Sequence, residues 1–227
     1  MYTLHIANKN YSSWSLRPWV LMRALDIPFE EVMHPFSDSG NQQEFGKFSP
    51  TAKVPCLIDG TLTVWDSLAI SEYLAEANPR IWPRDTAARA WARCAAAEMH
   101  SGFSALRNDC SMSCGQRVQL STVSEDLADD LARIDELWCE GQEIFGGPFL
   151  AGEAFTAVDA FFAPVVFRIA TYQLQLSQTA QHYQSLMIEL PAMRAWYDDA
   201  LQEPWRELSH EQDIAKCGSI IADYRSA

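Results

Sequence analysis

The sequence has no surplus of positive charge: 17 Lys and Arg stand against 30 Asp and Glu, a net charge of −13. Nucleic acid and anionic membrane surfaces both reward excess Lys and Arg, so neither is expected as a main partner. Long hydrophobic runs are also missing. The longest apolar stretch, Ala160–Phe167, falls far short of the roughly 18 residues that a membrane span needs. The opening MYTLHIANKN carries a charge at Lys9 and no apolar stretch of signal-peptide length. A cytoplasmic location is therefore expected. Paired cysteines are absent as well. Cys56, Cys94, Cys110, Cys114, Cys139 and Cys217 include no CxxC and no zinc-type spacing, so they are expected as reduced core residues, with no metal. What is present is a chain of 227 residues, 48% hydrophobic and 21% charged, which is enough to bury a sizeable core. Eight Trp and eleven Phe supply large aromatic faces that need burial or a ligand.

Periodicity divides the chain near residue 80. Tyr2–Ala7 and Phe29–Met33 read as strands, with an amphipathic helix over Leu16–Leu25 between them and a polar turn at Ser12–Ser15. Pro18 is compatible with that helix in its first turn. Val54–Ile58 and Thr61–Trp65 flank Asp59-Gly60 and predict a hairpin. A helix over Asp66–Ala77 follows, stopped by Asn78-Pro79. After a short Pro-containing linker everything reads as helix: Thr86–Leu106, Ser124–Ile144, Thr156–Tyr172 and Pro191–Leu201. The expected organisation is an α/β unit over 1–78, a linker over 79–85, and an all-helical unit over 86–227.

Three motifs in the first unit carry chemistry. Pro55 opens the hairpin, and a proline there belongs at a strand end or edge. A cis Val54-Pro55 bond would turn the Val54 N–H and C=O outward, free to pair with an extended peptide-like ligand. The plain alternative is an ordinary edge-strand proline. Asp66-Ser67 opens a helix. Ser67 suits the N-cap, and a ligand carboxylate on Ser67 with an ammonium on Asp66 would recognise an amino-acid head group; capping alone is the other reading. Tyr11-Ser12-Ser13-Trp14-Ser15 places hydroxyls at a helix N-terminus, where a thiolate could be stabilised, or where they only cap. No Ser-His-Asp arrangement is evident from spacing.

Taken together, the stretches SSWSLRPW (Ser12–Trp19), FSPTAKVPCL (Phe48–Leu57), WDSLAISEYL (Trp65–Leu74) and FTAVDAFFAP (Phe155–Pro164) resemble the cytosolic glutathione S-transferases, over essentially the whole chain. Ser12, Ser13, Ser15 and Arg17 are similar to the serine stretch of the zeta class, which includes maleylacetoacetate isomerases; Trp14 stands where that stretch carries Cys. The resemblance implies a thioredoxin-like N-terminal domain and an all-helical C-terminal domain. It implies glutathione as co-substrate, with Ser12 or Ser13 on its sulfur. Val54 with cis Pro55 would hold the cysteinyl backbone, Asp66 and Ser67 the γ-glutamyl end, and Lys53 the glycine carboxylate. It also implies a homodimer and a detoxification role. Thr156 and Asp159 match the family's structural capping box.

For the electrophile, candidates are Trp14, Phe36, His100, Phe103 and Arg107, the last three expected on one helix face from their spacing. That face is otherwise read as interdomain core with a surface ion pair. His5, His34, His182 and His210 fall in no constellation by spacing. The leading function is transfer of glutathione thiolate to a small electrophile. A maleylacetoacetate-type isomerase and a non-catalytic binding protein on the same fold are the alternatives. A thiol-disulfide reductase is disfavoured by serine where a nucleophilic cysteine would be needed.

Overall fold

The computed structural model describes residues 1–226. The first unit is built from β1 (Tyr2–Ile6), α1 (Ser13–Ala24), β2 (Phe29–Met33), α2 (Gln42–Phe45), β3 (Cys56–Asp59), β4 (Leu62–Trp65) and α3 (Ser67–Ala77). Its sheet runs β2-β1-β3-β4, with β1 parallel to β2 and antiparallel to β3. The Asp59-Gly60 signal delivers the β3–β4 hairpin, Asp59 opposite Leu62, with Gly60 in the left-handed region at φ +58°. Leu4, Ile6 and Leu57 of the sheet and Leu16, Val20 and Leu21 of α1 are all fully buried.

The second unit contains α4 (Thr86–Ser101), α5 (Ser104–Asp109), β5 (Gln116–Leu120), α6 (Glu125–Phe145), α7 (Ala157–Tyr172), α8 (Gln178–Glu189), α9 (Pro191–Gln202), α10 (Leu208–Cys217) and β6 (Gly218–Asp223). An α/β unit followed by a helical one is therefore what the chain forms. α7 is its axis: nearly every residue from Ala157 to Tyr172 is buried, and the helix packs on α1 and α4. α6 illustrates how local sequence sets an element. The Ser124 hydroxyl accepts from the Leu127 N–H at 3.1 Å, two acids fill the first turn, and Gly146 ends the helix at φ +66°. Among the described residues, no helix is long and apolar enough to cross a membrane.

Several local expectations are corrected. The second unit is not helix throughout, because β5 and β6 form a two-stranded antiparallel sheet. These strands are about a hundred residues apart in sequence, so no local pattern announces their pairing. The helix expected over Thr86–Leu106 is broken at Gly102 and at Phe103, which takes a left-handed φ of +57°. His100, Phe103 and Arg107 therefore do not share one helix face: His100 ends α4, Phe103 is the break, and Arg107 belongs to α5. α1 starts at Ser13, three residues early, which puts Pro18 in its second turn. The cap of α3 is Asp66 rather than Ser67. The Asp66 carboxylate accepts from the Leu68 and Ala69 N–H groups at 2.8 and 3.5 Å, with Asp66 at φ +74°. All six cysteines are free, but only Cys56, Cys110 and Cys114 are buried, and Cys94 is exposed.

Candidate functional site

The loop between β1 and α1 is held more firmly than a loop of polar residues needs. Asn8, Lys9, Asn10, Ser12 and Ser13 are all buried. The Glu203 carboxylate, just past α9, accepts from the Lys9 N–H at 2.5 Å and from the Asn10 N–H and side-chain amide at 3.2 Å each. The Trp196 indole donates to the Lys9 carbonyl at 2.9 Å. The Lys9 ammonium pairs with Glu31 at 2.9 Å and Asp199 at 2.7 Å, over the rings of Trp19 and Trp196. Groups of the helical unit thus fix the segment that delivers the serine pair.

The two serines then differ. The Ser12 hydroxyl donates to the Ser15 hydroxyl at 2.7 Å, and Ser15 in turn accepts from the Ala7 N–H at 3.3 Å. The Ser13 hydroxyl, at the first position of α1, has no hydrogen bond among the described residues. Both line a cavity of about 470 Å³ between the two units, together with Trp14, Phe36, Lys53, Val54 and Arg107, a size usual for small-molecule sites. Val54 precedes a cis Val54–Pro55 peptide, and its N–H and C=O take no backbone partner among the described residues. Asp66, Ser67, His100 and Phe103 do not line this cavity. Asp66 lies by a shallower groove along β4 and α3, 3.4 Å from His100 Nε2. Ser67 is fully buried, and its hydroxyl is without a partner among the described residues. His100 meets Trp14 edge-on at 5.2 Å, and its imidazole pKa is lowered by burial. Phe103 is a buried residue of the break.

Among the described residues no carboxylate lines the cavity, although the protein carries a net charge of −13. Lys53, Arg107 and Arg168 do. Arg168 was not singled out by sequence, because α7 reads as an apolar core helix around it. It is buried, its Nε donates to the Cys110 carbonyl at 2.8 Å, and its Nη1 has no partner among the described residues. Burial lowers its pKa to about 10, which leaves it a cation at neutral pH. Arg107 stacks on Trp14 at 4.8 Å and donates to the carbonyls of Met99 and Gly102. Arg17, fully buried, lies over the same indole at 4.3 Å from the Trp14 ring and over Phe161 at 4.9 Å. The cationic lining, Lys53 with Arg107 and Arg168, and the α1 N-terminus that opens onto the same cavity favour an anionic ligand.

Cysteine chemistry has no support here. Burial pushes the Cys56 thiol up to about 11 and the Cys110 thiol up to about 12, and neither lines the cavity. Sequence spacing also missed His210 of α10, which lines the cavity, and a His5–His34 pair joined at 2.8 Å beside Phe48. Asp159 lies away from the cavity, where its carboxylate accepts from the N–H groups of Thr156 at 2.9 Å and Leu150 at 3.0 Å and from the Tyr183 hydroxyl at 3.1 Å.

Residues 11–77 match the family described as Glutathione S-transferase, N-terminal domain, and residues 89–199 match Glutathione S-transferase, C-terminal domain. The chain belongs to the glutathione S-transferase family, with its thioredoxin-like first domain and helical second domain. Maleylacetoacetate isomerase of Rattus norvegicus is 27% identical over 190 residues, covering 80% of this chain and 85% of that one. Dichloromethane dehalogenase of Methylorubrum extorquens is 47% identical over 57 residues, covering 24% of this chain and 20% of that protein. Among solved structures, a Burkholderia glutathione transferase homolog with bound glutathione superposes with a TM-score of 0.66 at 21% identity, covering 88% of this chain and 97% of that one.

Proposed function

We propose that the chain binds glutathione in this cavity and transfers its thiolate to a small electrophile that carries a carboxylate or carbonyl. The observation that carries the reading is the meeting, in one cavity, of the unengaged Ser13 hydroxyl at the α1 N-terminus and the unpaired main chain of Val54. The Val54 N–H and C=O suit the cysteinyl unit of an extended tripeptide. Ser13 suits its sulfur and Lys53 its glycine carboxylate; the γ-glutamyl end then reaches beyond the cavity to Asp66, in the groove along β4 and α3, with the buried Ser67 beside it. Ser12 has its hydroxyl committed to Ser15, which leaves the sulfur to Ser13. A hydrogen bond to a charged sulfur contributes about 1.5–3 kcal/mol and the helix N-terminus about 0.3–1 kcal/mol. Together these lower a thiol pKa by about one to three units at about 1.4 kcal/mol per unit.

Trp14 and Phe36 then flank the electrophile, and Arg107 with Arg168 receives its polar end. An isomerase reading, in which the thiolate adds and leaves again, draws support from that cationic end and from relatives named maleylacetoacetate isomerase. The reading includes a cytoplasmic homodimer with a role in detoxification. Support for the dimer is the exposure of Leu62 and Trp65 on the edge strand β4. The decisive experiment is a thermal melt with glutathione. At a hundredfold excess over Kd, glutathione adds about 2.7 kcal/mol of stability; an unmoved melting temperature at several millimolar glutathione would falsify the reading.

A further inference from the structure

His210, on the first turn of α10, lines the cavity but has no part in holding glutathione as proposed above. Its imidazole lies between two aromatic rings, Tyr11 at 4.9 Å and 21° and Phe36 at 5.3 Å and 23°. Tyr11 immediately precedes the serine pair, and Phe36 comes from the loop after β2, so the clamp fixes the ring close to the α1 N-terminus. Glu207 fixes its rotation. That carboxylate accepts from the His210 N–H at 2.8 Å and from His210 Nδ1 at 2.6 Å, with the Ser209 hydroxyl also donating at 2.8 Å. A carboxylate can only accept, so Nδ1 carries the proton and Nε2 is the basic edge. Burial opposes ionisation of Glu207, but these hydrogen bonds outweigh it and hold its pKa below the usual carboxylate value. Tyr11 is unsuited to proton transfer. Its hydroxyl donates to Glu211 at 2.5 Å and accepts from Arg225 at 3.0 Å, and burial with Glu211 raises its pKa further.

We propose that His210, positioned by Glu207, is the proton carrier of the site for electrophiles that must take up a proton on carbon, such as a double bond conjugated to a carbonyl. The proposal rests on the glutathione reading. Nε2 takes the thiol proton, and the Ser13 hydroxyl donates to the sulfur anion that results. The sulfur electron pair forms the C–S bond at the β carbon as the π pair moves onto the α carbon and its carbonyl. The imidazolium then returns the proton to the α carbon. Nothing is oxidised or reduced, and His210 ends neutral.

His210→Phe keeps an aromatic ring in the clamp and removes the proton carrier. Two electrophiles separate its roles. Ethacrynic acid, an enone with a carboxylate, needs a proton on carbon; 1-chloro-2,4-dinitrobenzene loses chloride and needs none. The ratio of enone to aryl-chloride turnover is expected to fall about a hundredfold in His210→Phe. Glu207→Gln should lower enone kcat about tenfold with the KM for glutathione unchanged. Melting curves with and without glutathione establish that the variants fold and bind, and His210→Gln serves if the Phe variant does not fold. An unchanged ratio, whether both rates fall alike or neither falls, overturns the proposal. So does a wild-type protein that turns over the aryl chloride but not the enone. A wild-type protein that neither binds glutathione nor turns over either electrophile overturns the glutathione reading itself.

Discussion

Two adjacent serines, each nearly buried, have separate hydrogen-bonding lives, and the difference decides what each substitution does. Ser12 spends its hydroxyl on Ser15, which in turn accepts from the Ala7 N–H. Ser13→Ala removes a hydroxyl with no protein partner, so it should fold as the wild type does. It should lower kcat/KM at neutral pH by about tenfold to a hundredfold, the loss of one hydrogen bond to a charged sulfur, and move the rising limb of the pH–rate profile upward. Ser12→Ala should cost stability of about 1 kcal/mol and have the smaller kinetic effect. Profiles measured on both variants check the assignment, and a larger kinetic loss for Ser12→Ala would reverse it. The string SSWS distinguishes the two only once the helix start is fixed: with Ser12 at the N-cap, Ser15 is the third residue of α1 and within reach of the Ser12 hydroxyl.

At the scale of elements, the sequence was readable where order is local. Asp59-Gly60 between two β-rich runs specified the hairpin, and the Thr156–Asp159 spacing specified the start of α7. It was unreadable where distant segments decide. An Ala-rich helical pattern runs through Gly102-Phe103 without a signal strong enough to predict the break, so spacing sets Arg107 on one face with His100 while the structure carries it on α5. Arg168 was hidden by the apolar run around it, and His210 by a stack whose other members are Tyr11 and Phe36. The α7 start also has a pH signature. Burial raises the Asp159 carboxyl to about 6, against the hydrogen bonds it accepts. The folded protein thus holds that proton more tightly than the unfolded chain, whose ordinary value is 3.8. The stability it contributes is complete below that value and is lost as pH rises through about 6. Asp159→Asn cannot titrate. Denaturant melts should show wild-type stability, relative to Asp159→Asn, declining by on the order of 3 kcal/mol from about pH 4 to about pH 7. A difference that is flat across that window would place the proton elsewhere.

The whole molecule presents Leu62 and Trp65 to solvent on an edge strand, at 54% and 43% exposure. Apolar side chains on an open edge are a liability in a monomer and an asset in a two-fold interface. Light scattering at micromolar concentration should give about twice the 25.6 kDa chain mass, and Trp65→Glu should shift the protein toward the single-chain value; a wild-type mass near that of one chain would refute the dimer. A last consequence follows from Glu203 and Trp196, which grip the backbone of Lys9 and Asn10 from the far domain. Domain exchange between relatives is commonly attempted by cutting at the interdomain linker. Here such a cut would separate a loop from the mould that shapes it. A hybrid carrying this helical domain inherits an opinion about residues 9–10 of its new first domain. Recombination breeds working chimeras only when both sides of that grip come from the same parent.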